Sequence, residues 1–334
     1  MGVLALLAPV AADARARAIP DPDAVVAAVE IVDTVIERGP ARAASVSRAR
    51  EYRTASGEAL EVEVSGAYPS NPEADQALVD FLASRLHGDE LGSLSVYVAT
   101  PREIARICGG AQAVACYAVH EQRMYVPGEE IHGVPIEYAL THEYGHHVAA
   151  WRSNDPWNAL DWGGKHWSSA MRVCAYVDEG KLFPGNQGRH YLRDPGEGFA
   201  DGYAHVHYPQ APWQYSSLLR PDRSAYAAIR RDVLHPWTGP RSRTFRGRLV
   251  QGRSRSFKVR IALDGDMSLR MALPRGASAD LEVRSPGFAA GHTVSGRGEL
   301  GVEWCRSRRV ETATLTVRAR KGSGPFSLRV SWPG

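Results

Sequence analysis

Apolar positions change their period along the chain, and the changes mark out elements. Residues 21–37 place apolar side chains at helical spacing, with Asp21 or Asp23 as a cap and Gly39-Pro40 as a stop, which predicts a first helix. Leu60, Val62 and Val64 alternate with Glu61 and Glu63, as in a half-buried strand. A helix is predicted over 71–86, a strand over 94–99 and a hairpin over 115–126. A long helix follows from Pro135 to about residue 151, with two more near 166–179 and 195–207. A sheet followed by mainly helical segments predicts an α+β fold.

After His235-Pro-Trp-Thr-Gly-Pro240 the period becomes two. Phe257/Val259/Ile261/Leu263, Leu269/Met271/Leu273, Leu315/Val317/Ala319 and Phe326/Leu328/Val330/Trp332 alternate strictly, separated by turn residues such as Asp264-Gly265 and Gly322-Ser-Gly-Pro325. Short alternating strands at this spacing predict an all-β sandwich over 241–334, behind an α+β domain over 19–240.

A length of 334 residues is enough for two such domains. The net charge of +3 and the scatter of the arginines predict no nucleic-acid partner. Residues 1–18 are apolar but too short to span a bilayer, and they end in the small-x-small site Ala16-Arg17-Ala18. They are expected to be a signal peptide or apolar leader, so the protein is expected to be secreted, without a membrane span. Four cysteines fit that compartment as two disulfides. Cys108 and Cys116 flank Gly109-Gly110, so a local bridge is expected there, leaving Cys174 to pair with Cys305.

The chemistry concentrates in His142-Glu143-Tyr144-Gly145-His146, inside the long predicted helix. Positions 142 and 146 lie on one helical face a turn apart, so two imidazoles can share one tetrahedral metal. Glu143 then reaches a metal-activated water as general base. A third ligand is required. His147, His166, Asp178, Glu179, His190, Glu197, Asp201, His205 and His207 lie downstream. Glu197 and Asp201 stand out, because they share one face of a predicted helix opened by Asp194-Pro195. Glu197 can ligate while Asp201 accepts a hydrogen bond from a ligand histidine. Ala149 and Arg152 occupy the places where a metzincin continuation would need Gly and His.

His142-Glu-x-x-His146 with Glu197-x-x-x-Asp201 resembles the gluzincin metallopeptidases, over roughly residues 48–220. The resemblance implies one catalytic Zn²⁺ on His142, His146 and Glu197, with Glu143 as base and Asp201 supporting a ligand histidine. It also implies a peptide or protein substrate laid along an edge strand within 115–126, near His120. A downstream His or Tyr would stabilise the oxyanion, with Tyr203, His205, His207 and Tyr208 as candidates and His205 favoured. The gap between His146 and Glu197 is longer than the thermolysin pattern. The C-terminal segment resembles bacterial prepeptidase C-terminal (PPC-like) domains through Ser256–Gly265, Ala279–Val283 and Gly324–Val330, which implies an accessory role beside a secreted peptidase. Two other functions use the same residues: a binding or adhesion protein with a structural zinc site, and a zinc amidase acting on cell-wall peptides.

Overall fold

A computed structural model describes residues 17–24, 26, 33–37, 39, 47–286, 288–306 and 310–334. The expected leader lies outside the described residues except for its last two positions. The fold is α+β, and the chain divides into two compact units: residues up to 85 with 91–140, and 86–90 with 141–334.

The first unit is built on β1 (Asp33–Ile36), β2 (Ser47–Arg53), β3 (Ala59–Ser65), β4 (Ser95–Ala99), β5 (Ala115–Ala118) and β6 (Arg123–Pro127), in the order β1-β5-β6-β4-β3-β2. Leu60, Val62 and Val64 of β3 are buried on one face. On the other, the Arg123 guanidinium donates to both Glu61 and Glu63 at 2.8 Å. The expected hairpin is present as antiparallel β5 and β6. The helix expected near 71–86 is α1 (Pro72–Ala83), where the Asn71 side chain accepts from the Ala74 N–H.

Sequence reasoning passed over two elements here. β2 reads Ser-Arg-Ala-Arg-Glu-Tyr-Arg, too polar on both faces to show a period, and its pairing with β3 supplies what its side chains do not. α2 (Pro101–Ile107) is short, but Thr100 and Glu103 close a capping box at its start. The helix expected over 21–37 is not found among the described residues of that segment: residues 21–24 are turn and coil, and residues 33–36 form β1 parallel to β5. Thr34-Val35-Ile36 is β-branched throughout, and ladder pairing overrides the helical spacing. Residues 25 and 27–32 of that segment lie outside the described residues. Because β1 covers β5, and β6 lies between β5 and β4, the stretch 115–126 holds no edge strand.

The helix α3 (Ile136–Ala150) carries the division between the units, at Leu140/Thr141. The short strands β7 (Ser153–Asn154) and β8 (Trp157–Asn158) follow, then α4 (Ala159–Trp162). The single helix expected near 166–179 is two, α5 (Lys165–Ala170) and α6 (Val173–Asp178), because Arg172 takes a left-handed conformation at φ 58° between them. α7 (Pro195–His207) falls where predicted. α8 (Arg223–Leu234) was not anticipated, although Asp222 caps it by accepting from Ser224 and Ala225.

Eight strands fill the rest: β9 (Arg241–Leu249), β10 (Ser254–Ile261), β11 (Gly265–Ala272), β12 (Ser278–Ser285), β13 (Phe288–Ser295), β14 (Arg297–Trp304), β15 (Glu311–Lys321) and β16 (Gly324–Trp332). They form two antiparallel four-stranded sheets, β10-β15-β12-β13 and β14-β11-β16-β9. The alternating residues noted in the sequence are the inner faces, except Leu263, which lies beyond the end of β10, and Ile261, Leu269, Leu281, Leu315 and Leu328 meet in one core.

Both expected disulfides are present, Cys108–Cys116 and Cys174–Cys305. The second ties α6 to the segment after β14. Around it, buried Arg306 bonds Asp264 at 2.8 Å and the Ser169 carbonyl at 2.6 Å, while the Asp264 N–H donates to the Ser169 hydroxyl. Lys165 is also fully buried, its Nζ donating to the Asp155 carbonyl beside the rings of Trp157 and Trp237. Among the described residues, no helix is long and apolar enough to cross a membrane.

Candidate metal centre

α3 is buried on nearly every side, and His142, Glu143, His146 and His147 are all fully buried within it. Polar groups so placed need partners, because the desolvation of each is otherwise uncompensated. For His147 the partner is the carbonyl of Glu90, to which its Nε2–H donates at 2.9 Å, and burial pushes its pKa down to about 4. Burial raises the Glu90 carboxyl, but the Arg152 guanidinium and the Gly88 N–H outweigh that and hold it low. Tyr144 donates to the same carboxylate at 3.0 Å. One face of α3 is thus anchored on Glu90, and the face bearing His142 and His146 is left for α7.

The approach of α7 depends on absent side chains. A Cβ on Gly145 would stand 2.7 Å from Ala200 Cα, so the two helices cross almost backbone to backbone there. α7 is small along its length for the same reason: a Cβ on Gly196 would strike the Leu160 carbonyl at 2.3 Å, and one on Gly198 would meet Leu219 at 2.7 Å. Asp194 caps the helix, its carboxylate accepting from the Gly196 and Gly185 N–H groups. Burial and the neighbouring Glu197 push the Asp194 carboxyl up to about 8.

This crossing brings Glu197 to both histidines. Its Oε2 lies 3.5 Å from His142 Nε2 and 3.3 Å from His146 Nε2, with all three side chains fully buried. The other oxygen, Oε1, accepts from Gln187 at 2.8 Å, while Oε2 has no hydrogen-bond donor among the described residues. A tetrahedral zinc with bonds of about 2.0–2.1 Å sets neighbouring ligand atoms about 3.3 Å apart. The spacing and the orphaned Oε2 fit such an ion, and these three residues form a group that could hold a metal.

Behind the ligands, His142 Nδ1 faces Asp201 Oδ1 at 3.6 Å, so its two ring nitrogens look to Glu197 and Asp201 respectively. The Tyr215 ring stacks over His142 with centroids 6.4 Å apart, and its hydroxyl meets that of Tyr191 at 2.9 Å. His205 Nε2 faces Asp201 Oδ2 at 3.6 Å. Burial lowers the His205 pKa, against the pull of Asp201, and the ring also bonds the Pro212 carbonyl and meets Trp213 edge-on.

The other sequence candidates go elsewhere. His190 stacks on Phe183, and the His207 ring accepts from the Leu86 N–H and packs on Tyr203. Tyr203 donates to the Leu86 carbonyl, and Tyr208 ends α7. His166 lies on α5, its pKa pushed down to about 4 by burial, Arg231 and Lys165. Asp178 and Glu179 stand at the end of α6, and His120 lies in the turn between β5 and β6. Gln187, Tyr215 and Glu90 were missed. Each sits in a loop or short turn without periodicity, and only Asp194-Pro195, a helix-opening pair, could have drawn attention to the neighbourhood.

No family model matches this chain, and no curated protein does. Among solved structures, a de novo designed double-stranded β-helix determined by solution NMR aligns at 14% identity, covering 26% of this chain and 95% of its own, with a TM-score of 0.18. A superposition that slight carries no statement about fold or function.

Proposed function

We propose that this chain is an exported zinc metallopeptidase of gluzincin type. The observation that carries the proposal is the convergence of two histidine nitrogens on one unbonded carboxylate oxygen, at 3.5 and 3.3 Å, with Asp201 behind His142. His142, His146 and Glu197 would hold the ion. Zinc bound there supplies a Lewis acid that polarises a carbonyl and acidifies a water near neutral pH.

The chain's own residues do the rest. Gln187 orients Glu197 by holding Oε1, which turns Oε2 toward the histidines. Asp201, whose Oδ1 faces His142 Nδ1 at 3.6 Å, would favour the tautomer protonated at Nδ1, in which Nε2 presents its lone pair. Glu143, beside His142 and fully buried, takes the proton of the attacking water on its carboxylate and returns it to the departing amine nitrogen. His205 bonds the Pro212 carbonyl and faces Asp201 at 3.6 Å, which suits it to steadying Asp201 and argues for testing Tyr215 alongside it as the oxyanion donor.

Export is supported by the two disulfides. A structural zinc is usually closed by four protein ligands, whereas the described residues bring three together. Metal analysis and hydrolysis assays on variants test the proposal. Wild type is expected to carry one zinc and cleave a peptide library, Glu143→Gln to keep the zinc and lose cleavage, and Glu197→Ala to lose both. Full cleavage by Glu143→Gln would exclude its role as base, and full zinc loading of Glu197→Ala would exclude the ligand set.

A further inference from the structure

We propose that a cleft between α8 and one side of the β-sandwich binds an acidic polysaccharide. The cleft encloses about 950 Å³ and lies wholly within the second unit. Arg231 of α8, Arg241 and Arg243 of β9, and Lys258 and Arg260 of β10 line it, and no Asp or Glu does. These cations are scattered over thirty positions of sequence. The topology gathers them, because β9 and β10 are outer strands of different sheets that approach each other at the cleft.

The absence of acidic side chains from the lining is local. Elsewhere on the sandwich Arg270 pairs with Glu299, Arg284 with Glu282 and Arg320 with Asp280. Among the described residues, none of the five cleft cations makes an ion pair. Their charge is thus open to a ligand, and guanidinium groups match carboxylate and sulfate oxygens with paired hydrogen bonds.

The rest of the wall selects the polymer. Trp237 and Trp332 both line the cleft and are half-buried, and Trp237 is fixed by its indole N–H donating to the Pro333 carbonyl at 2.7 Å. A fixed aromatic face suits the C–H face of a pyranose ring, as the cations suit its acidic substituents. The volume is in the range, roughly 300–1,000 Å³, that buries a small ligand, hence a few sugar rings of a chain. A concave site cannot enter the groove of a nucleic-acid duplex, which needs a protruding element.

Fluorescence anisotropy with the intact protein and a labelled heparin octasaccharide tests this without reference to zinc or hydrolysis. Binding is expected at low ionic strength, weakening steeply with added salt because it is carried by charge. The exposed double variants Arg241→Ser/Arg243→Ser and Lys258→Ser/Arg260→Ser are each expected to weaken it at least tenfold. Arg270→Ser/Arg284→Ser, with the same change of charge elsewhere on the sandwich, is expected to change it less than twofold. Thermal melts confirm folding, and the two cleft variants act on different strands, so misfolding of one leaves the other decisive. The proposal is overturned if the octasaccharide does not bind, if the control variant weakens binding as much as the cleft variants, or if single-stranded oligo(dT) binds more tightly and displaces the glycan.

Discussion

Replacing Gly145 by alanine should damage the metal centre without touching a ligand. The added methyl would lie 2.7 Å from Ala200 Cα, 3.0 Å from its carbonyl oxygen and 3.2 Å from its Cβ. Non-bonded carbons rest at about 3.5–4.0 Å, so α3 and α7 must part by about 1 Å at the crossing. Backbone atoms cannot swing aside as a flexible side chain can, and overpacking of this kind costs about 1–3 kcal/mol. His142 and His146 bracket Gly145, and Glu197 lies one turn before Ala200, so the separation falls on the 3.3 and 3.5 Å gaps. Widening them by about 1 Å takes them beyond the edge of a zinc tetrahedron, about 3.3 Å. Apparent zinc affinity, measured by competition with a chromophoric chelator, should fall about 10–100-fold, comparable to losing a group that orients a ligand. Urea unfolding of the metal-free protein should show destabilisation. Helix propensity alone predicts the opposite sign, since alanine favours a helix over glycine by about 1 kcal/mol. A more stable variant with unchanged zinc affinity would refute the close crossing as the device that assembles the site.

Asp201→Asn keeps an acceptor beside His142 Nδ1 but removes its charge, and should weaken zinc binding about 10–100-fold in the same competition assay while leaving the thermal melt of the metal-free protein little changed. Arg306→Ala strands the buried Asp264 carboxylate and should cost about 3–5 kcal/mol in urea unfolding; a loss under 1 kcal/mol would mean that water or another donor takes over. Burial lowers the pKa of Lys165 from 10.5 to about 8, so between about pH 8 and 10.5 the unfolded chain holds a proton that the folded chain has released. Stability should therefore rise with pH across that window, by up to about 3 kcal/mol. Lys165→Met should lack the rise, and equal slopes for the two proteins from pH 8 to 10 would show that Lys165 is not the group responsible.

Most helices and strands that bear apolar side chains at a clear period were legible from the chain, α8 with its buried Ala225, Ala228, Ile229 and Val233 being passed over, and so were both disulfides. Alternation in the last hundred residues marks inner faces because side chains of a strand point to opposite sides, whatever the strand pairs with. The pairing of His142 with His146, and of Glu197 with Asp201, follows from helical geometry alone, which places residues four apart on one face. Where a segment owes its conformation to its neighbours, local pattern fails. Residues 33–36 are a strand because β5 offers an open edge, β2 because β3 does, and the helix near 166–179 breaks at Arg172 for no reason visible in its composition.

What the sequence by itself determined is the set of chemical groups and their local grouping: two imidazoles on one helix face, two carboxylates on another, four cysteines and an alternating β segment. Only the tertiary structure decided that the two helix faces meet. That depends on Gly145 and Ala200 allowing backbones to touch, and on fifty intervening residues folding so that α7 returns to α3. The same holds for the arginines, which look dispersed along the chain because strand order, not sequence order, sets which of them share a cleft. Spacing along a chain reports contacts within one turn or one strand pair. Contacts across elements depend on the volume of every side chain between them, and that sum is only evaluated when the chain folds.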